Sequence, residues 1–367
     1  MQQLMKRYLL AILLPLTVLV LFGGSSNGYP TVTILIGPYT QQVTEDAVSI
    51  SWMTTIPTGR NEVHWGIDQG CRNVTIEQVL FPKSLHTVTI TGLSAEQRYY
   101  YHIRSDETDS PLYTFWTARP HNDTLRAVVY GDSQGDWDNW QTVSHVARAI
   151  EAESPMIVLK TGDLVEDGWN LSQWIEYFRA SPFLYNSTMY PILGNHEEYS
   201  CFYFSFFSLP KNERWYSFEN GPVHFIGLDS NSRGRYRLAQ YLWLVHDLRT
   251  HEEPFTVVFF HHPPYSSSNH GNTTVLQKIW SPVFERYHVH VVFNGHDHNY
   301  ERSIVNNVTY VVTGGGGSPL YDNGHSPWTV YSEETYHYCL LTASPSGLYC
   351  EAKTPEGLVI DSFCLQP

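Results

Sequence analysis

Five apolar runs between residues 126 and 293 each lead into a short polar cluster, and this repeated juncture constrains the fold more than any other feature. Arg126–Tyr130 (RAVVY) runs into Gly131-Asp132-Ser133-Gln134, and Met156–Lys160 (MIVLK) into Thr161-Gly162-Asp163. Met189–Leu193 (MYPIL) is followed by Gly194-Asn195-His196-Glu197, and Thr256–Phe260 (TVVFF) by His261-His262. Val289–Phe293 (VHVVF) leads into Asn294-Gly295-His296-Asp297-His298. Continuous apolar strands of this kind are covered on both faces. Two more, Val223–Leu228 and Val308–Thr313, share the texture. Helical segments are expected between them at Thr142–Glu151, Leu171–Phe178, Ala239–Arg249 and Val275–Tyr287. Alternating strands and helices predict an α/β domain, whose ligands sit beyond the carboxyl ends of the strands.

The chain before this region has a different texture. From Thr31 to Pro120 short alternating strands (TVTILIG, AVSISWMT, EVHWG, LHTVTITGL, RYYYHIRS, PLYTFWTA) are separated by turns every eight to twelve residues. That spacing predicts a small all-β sandwich, with Trp52 and the tyrosines of YYYHIR in its core. PHNDT (Pro120–Thr124) reads as a linker, and short strands return from Val330 onward. The expected organisation is a sandwich at 29–119 and an α/β domain with a C-terminal β segment at 120–367. Gly314–Gly317 reads as a tight turn, since it lacks the Lys-Ser/Thr of a phosphate-binding loop. At the N-terminus Lys6 and Arg7 precede the apolar Tyr8–Phe22 and the small, polar GGSSNG, the pattern of a secretory signal over 1–28. Tyr8–Phe22 falls somewhat short of the ~20 residues that span a bilayer, so no stable membrane span is expected once the signal is removed.

Composition excludes some partners. A content of 42% hydrophobic residues plus 25 glycines in 367 is that of a globular chain. The formal net charge of -14 disfavours nucleic acid, but bound cations would reverse the local field and admit a small phosphorylated substrate. Six Asn-x-Ser/Thr sequons, at Asn73, Asn122, Asn170, Asn186, Asn272 and Asn307, fit an exported glycoprotein. The five cysteines contain no Cys-x-x-Cys pair. Cys339 and Cys350 flank the turn TASPSG and could face each other across a hairpin, whereas Cys71 and Cys201 fit buried free thiols equally well.

The polar clusters supply six oxygen and nitrogen donors without a thiolate: Asp132, Asp163, Asn195, His261, His296 and His298. Six donors exceed one tetrahedral zinc and suit two ions with a shared ligand, and the mixture of carboxylate and imidazole points to Fe, Mn or Zn. Two ions ~3.5–4 Å apart clamp the attacking and leaving oxygens of an in-line phosphoryl displacement.

The blocks GD-x-Q, GDLVEDG, GNHE, VVFFHHPPY and GHDHNYER, in this order, resemble the calcineurin-like metallophosphoesterases. After a sandwich ending YTFWTA they most resemble the purple acid phosphatase branch, with its fibronectin III-like N-terminal domain. The resemblance covers roughly Tyr29 to Thr313. It implies a four-layer sheet-and-helix catalytic domain and Asp163 as a bridging carboxylate. Asp132 and His298 would hold one metal, and Asn195, His261 and His296 the other. His196 would stand at the leaving group and His270 near the substrate, with His262 and Asp297 in supporting places. Two positions depart from the family. The tyrosine that colours purple acid phosphatases is here Glu166, and the histidine that other members place two residues after the first aspartate is here Gln134. Glu166, Gln134 or water would complete the first metal's ligands, and Asp167 reads as a turn residue.

The resemblance thus implies an exported or cell-surface hydrolase that cleaves phosphate monoesters by in-line attack of a metal-bound hydroxide, and it leaves room for a homodimer. The alternatives are a phosphodiesterase of the same fold, acting on cyclic nucleotides or lipid headgroups, and a non-catalytic surface adhesion protein with a retained metal site.

Overall fold

The structure, a computed structural model, describes residues 31–251 and 253–367, so the expected signal at 1–28 lies outside the described residues. The chain forms two compact units. One comprises the chain up to Ala118 together with Leu184–Thr188 and Cys201–Ser208, and the other comprises the remainder.

Among the described residues the first unit has eight strands: β1 (Ile34–Gln41), β2 (Ala47–Thr58), β3 (Asn61–Gly66), β4 (Asn73–Ile76), β5 (Lys83–Thr91), β6 (Arg98–Ser105), β7 (Thr108–Asp109) and β8 (Tyr113–Trp116). They build a sheet in the order β1-β2-β5 and a second in the order β4-β3-β6-β7, with β8 on β6. Every second side chain of β6 is buried, so Tyr99, Tyr101 and Ile103 meet Trp52, Val48 and Ile50 of β2 in one core, the expected sandwich. Trp52 is fully buried, and its indole N–H is satisfied by Ser105 Oγ at 2.8 Å. Two later segments are stitched in by polar contacts. Tyr101 donates to the Tyr185 carbonyl at 2.8 Å, and Tyr39 donates to the Phe206 carbonyl at 2.6 Å.

The second unit carries β9 (Leu125–Tyr130), β10 (Ile157–Lys160), β11 (Thr188–Pro191), β12 (Tyr216–Asn220), β13 (Val223–Gly227), β14 (Phe255–Phe259) and β15 (Val291–Asn294). These are followed by β16 (Tyr300–Val305), β17 (Val308–Thr313), β18 (Thr329–Glu333), β19 (Tyr338–Ser344), β20 (Gly347–Lys353) and β21 (Val359–Leu365). They form a six-stranded mixed sheet, β11-β10-β9-β19-β20-β21, and a seven-stranded one, β12-β13-β14-β15-β17-β16-β18. Strands β13, β14, β15 and β17 run parallel and are buried at every position. Their alternate residues Ile226, Val258, Val292 and Tyr310 pack on α3 (Arg235–Asp247), α4 (Thr274–Ile279) and α5 (Ser281–Arg286). Each such side chain contributes about 1.5–3 kcal/mol by leaving water. The helices α1 (Gln141–Ala152) and α2 (Leu171–Ala180) flank β9 and β10 in sequence.

Three sequence expectations are adjusted. The single helix at 275–287 is two, because Pro282 lacks an N–H donor and crowds the preceding turn, so the chain restarts at Ser281. Two further strands, β12 at the sheet edge and β16 between β17 and β18, lie where SFEN and ERSIV mix polar with apolar residues and give no clear strand pattern. Cys339 and Cys350 do lie on one hairpin, but its register sets Cys339 opposite Ala352 and Cys350 opposite Leu341, and all five cysteines are free.

Candidate metal centre

Parallel pairing of β9 with β10 and of β14 with β15 brings four of the polar clusters to the carboxyl ends of neighbouring strands. The loops then lock onto one another through their backbones. Asp132 N–H donates to the Gly162 carbonyl at 3.2 Å and Ser133 N–H to the Asp163 carbonyl at 2.9 Å. A side chain at Gly194 would put its Cβ 2.0 Å from Asp163 Oδ1, and one at Gly295 would stand 2.2 Å from Asp132 Oδ2. Those two glycines are therefore required by close approach. Asp132, Asp163 and His296 have φ of 57°, 50° and 74°, a left-handed conformation that side chains other than glycine rarely adopt. Local strain of this kind collects at functional sites.

One side-chain atom each of Asp132, Asp163 and His261 fits within a 4.8 Å cluster, and all three residues are buried. Asp163 is the hub. Its Oδ2 lies 3.1 Å from His261 Nε2, 3.1 Å from Gln134 Nε2 and 3.9 Å from His196 Nε2, while its Oδ1 accepts the His196 backbone N–H at 3.0 Å. On one side His261 Nε2 is 2.9 Å from Asn195 Oδ1, and its Nδ1 is tied to the Thr161 carbonyl. On the other, His298 Nε2 is 3.7 Å from Asp132 Oδ1, and its Nδ1 bonds the Pro319 carbonyl. In both histidines one ring nitrogen is spent on a carbonyl, which fixes the ring and presents Nε2 inward. The His296 ring lies 5.0 Å from the His261 ring and 4.2 Å from the His270 ring.

The electrostatics call for a cation here. Burial, with Asp163 adding repulsion against the attraction of His261, pushes the Asp132 carboxyl up to about 7. Burial would also raise Asp163, but His261 more than offsets it and holds the carboxyl well below the usual range. Burial would lower His261, yet Asp163 raises it to about 9, so a proton serves as the positive partner. His296 and His298 are pushed down to about 2 and about 4, mainly by burial, and offer neutral nitrogens. Ionised carboxylates and neutral imidazoles with fixed nitrogens fit a divalent metal in place of that proton.

The remaining expected residues fall around this cluster. Gln134 is buried, with its amide between Asp163 and the Ser318 hydroxyl. Glu166 is exposed at the rim, its carboxylate 3.6 Å from His196 Nδ1. His196 is half-buried and its Nδ1 is held by the Glu166 carbonyl at 2.7 Å. His270 is exposed, and its backbone N–H is anchored on Asp297 Oδ1 at 2.9 Å. His262 bonds the Ser230 hydroxyl at 2.8 Å. Asp167 accepts the Trp169 N–H at 2.9 Å, as a turn residue does.

Two residues escaped the sequence reading. Glu197 is buried and accepts three backbone N–H groups, from Asp163 at 3.0 Å, Leu164 at 2.7 Å and Gly194 at 2.6 Å, so one carboxylate clamps two of the loops. Its place in GNHE was visible, but its partners 33 and 34 residues away were not. Lys160 ends β10 fully buried, donates to the Gly162 carbonyl at 3.1 Å and lies 4.5 Å over the Tyr130 ring. Burial pulls its ammonium down to about 8 despite Asp132, Glu197 and Asp163. Gly314–Gly317 proves to be a close-packing turn, where a Cβ on Gly316 would meet the Gly131 carbonyl at 2.1 Å.

The chain is similar to known proteins. The calcineurin-like phosphoesterase family matches residues 125–300, and the purple acid phosphatase N-terminal domain matches 38–117. A purple acid phosphatase of Glycine max is 30% identical over 75% of this chain and 67% of its own. The Fe(3+)-Zn(2+) purple acid phosphatase 12 of Arabidopsis thaliana is 27% identical over 76% of this chain and 66% of its own. The chain thus spans about two thirds of the length of the curated relatives it matches. The solved structure of a purple acid phosphatase from yellow lupin seeds shares the fold with a TM-score of 0.76 at 21% identity, over 90% of this chain and 74% of that one.

Proposed function

The chain belongs to the purple acid phosphatase family, metal-dependent phosphoric ester hydrolases with two metal ions, and from that premise we propose that it hydrolyses phosphate monoesters. The observation that carries the reading is the convergence of Asp132, Asp163 and His261 at strand ends, with Asn195 2.9 Å from His261 and His298 3.7 Å from Asp132. In this assignment Asp163 would be shared between the two ions, Asp132 and His298 would hold one, and Asn195, His261 and His296 would hold the other. Gln134 is the better candidate than Glu166 to complete the first, because it is buried against Asp163 while Glu166 stands at the rim. A half-turn of its amide presents Oε1 inward and leaves the nitrogen to Ser318.

Bound there, the ions supply an acidified water and neutralise charge on the phosphoryl oxygens. The chain's own groups do the rest. The water oxygen bonds to phosphorus, the ester P–O bond on the far side breaks, and a proton passes to the departing alkoxide. His196 is placed to deliver it, because the Glu166 carbonyl holds Nδ1 and leaves Nε2 facing the cavity. The His270 loop, pinned by Asp297, flanks the same space through the His270–His296 stack.

We further assign 29–119 and 120–367 as the domains and propose export after removal of 1–28; a mature N-terminus near residue 29 in sequencing checks this. Among the described residues no helix is long and apolar enough to cross a membrane. The activity test compares p-nitrophenyl phosphate with its bis-ester on the metal-loaded protein. The monoester should be cleaved at least about tenfold faster. Preference for the diester would make this a phosphodiesterase, and cleavage of neither would leave a non-catalytic protein.

A further inference from the structure

The cavity in front of the metal centre has a volume of about 520 Å³, and its two ends differ. The inner end is formed by Gln134, His196 and His298, next to the proposed ligands. The mouth carries the exposed Asp136, Trp137 and Glu166, and the half-buried Tyr321 completes the wall beside His298. Trp137 is 52% exposed, a large aromatic surface left open at a cavity mouth. It is nonetheless held in place, because its indole N–H donates to the Gly317 carbonyl at 2.9 Å. Tyr321 is fixed too: its ring stacks on His298 at 4.1 Å and 14°, and its backbone N–H bonds the His298 carbonyl at 3.0 Å.

Two carboxylates and two anchored aromatic rings line the mouth and this wall, and neither a lysine nor an arginine lines the cavity. A second phosphate or a carboxylate on the leaving group would meet Asp136 and Glu166 with nothing to neutralise it. A neutral leaving group would use the rings and leave Asp136 without a counter-charge, whereas Glu166 has His196 Nδ1 at 3.6 Å. A cationic ammonium uses all four, since it is attracted to an indole or phenol face and to carboxylates alike. The chain's formal charge of -14 adds a long-range field of the same sign.

Resting on the phosphomonoesterase reading, we propose that the substrate is the phosphate monoester of a cationic amino alcohol, with its ammonium group held by Trp137, Tyr321, Asp136 and Glu166. Hydrolysis then releases the free amino alcohol and inorganic phosphate: water's oxygen joins phosphorus, the ester bond breaks, and the alcohol oxygen takes the proton. Trp137 and Asp136 determine specificity, and no contact with the reacting phosphorus is assigned to them.

The test uses a matched pair, phosphocholine and its isostere 3,3-dimethylbutyl phosphate, which carries carbon in place of the ammonium nitrogen, so that the two differ in one positive charge and hardly in shape. With full-length metal-loaded protein, kcat/KM should favour phosphocholine on the order of tenfold, and Asp136→Asn and Trp137→Leu should each reduce that ratio severalfold. A wild-type ratio below about threefold, with the isostere or p-nitrophenyl phosphate still cleaved, overturns this inference and leaves the phosphomonoesterase reading standing. A high ratio untouched by both substitutions overturns the assignment of the wall. If none of the three esters is cleaved, the underlying reading itself has failed.

Discussion

Two clusters in the second unit bring histidines to carboxylates, and they use them in opposite ways. At the strand ends, Asp132, Asp163 and His261 converge with Asn195, His296 and His298 around them. At the other, Glu219 on β12, His224 on β13 and Asp247 at the end of α3 come together, with Glu253 near Glu219 and His224. His224 is saturated: Nε2 meets Asp247 at 2.7 Å and Nδ1 meets Glu219 at 3.0 Å. Asp247 also accepts the Ser217 hydroxyl at 2.6 Å. Each histidine of the first cluster that bonds a carbonyl spends one nitrogen on it and aims the other at a shared point. Composition alone does not separate a metal site from a structural ion cluster. What does is the carrier: strained loops at strand ends hold Asp132, Asp163 and His296, whereas regular strands and a helix hold Glu219, His224 and Asp247.

The comparison breaks most decisively at its hubs. Asp163→Ala removes the group shared by both sides of the first cluster, and phosphatase activity should fall by about a thousandfold or more, with the fold intact by circular dichroism. Asp247→Ala leaves the buried His224 with Glu219 as its ion-pair partner and should cost about 2–3 kcal/mol in urea unfolding at pH 6, below the ~3–5 kcal/mol of a fully stranded charge, with metal content unchanged. A fall in bound metal in that variant would mean that the second cluster is no mere ion pair.

The pH dependence sharpens the contrast. Burial would lower His224, but the hydrogen bonds its ring donates to Asp247 and Glu219 raise it to about 9. Asp247 and Glu219 are held below their ordinary values through the same contacts, against the upward push of burial. His251, stacked on His224 at 4.3 Å, is itself pushed down by burial and by the His224 charge, and Lys211 at 3.9 Å supports the Asp247 charge. A raised histidine stabilises fully below its unfolded pKa of ~6.5, and that stability is lost as pH rises through about 9. The depressed carboxylates stabilise above their unfolded values and lose this as pH falls through the folded ones. The stability gap between wild type and His224→Gln should therefore shrink by about 2–3 kcal/mol from pH 6 to pH 10. The smallest expected effect is a null. With Glu166 in place of the tyrosine, iron-loaded protein should show no visible tyrosinate charge-transfer band, and a band would refute the assignment.

The sequence carried those parts of the fold and site that depend on local pattern. The apolar runs ending in GD, GNH, HH and GHDH were legible because a buried strand needs continuous hydrophobicity and a loop at its end is free to carry polar groups. The alternation in YYYHIR likewise announced a sandwich face. What stayed hidden depends on distant pairing. Glu197 reads as one more acid in GNHE until its three backbone donors are seen. The Gln134–Ser318 contact joins residues 184 apart. Leu184–Thr188 and Cys201–Ser208 join the first unit, though the chain around them belongs to the second. His224 shows the converse error that sequence invites, since a histidine flanked by acids in two neighbouring elements looks like a ligand and is a satisfied ion pair.

The central claim is that one carboxylate, Asp163, organises two ions. Metal stoichiometry of the purified, metal-loaded protein by elemental analysis tests it most directly, in wild type and in Asp163→Ala. The account predicts about two ions per chain in wild type and loss of both in the variant. One ion or none in wild type, or two retained without Asp163, would contradict it.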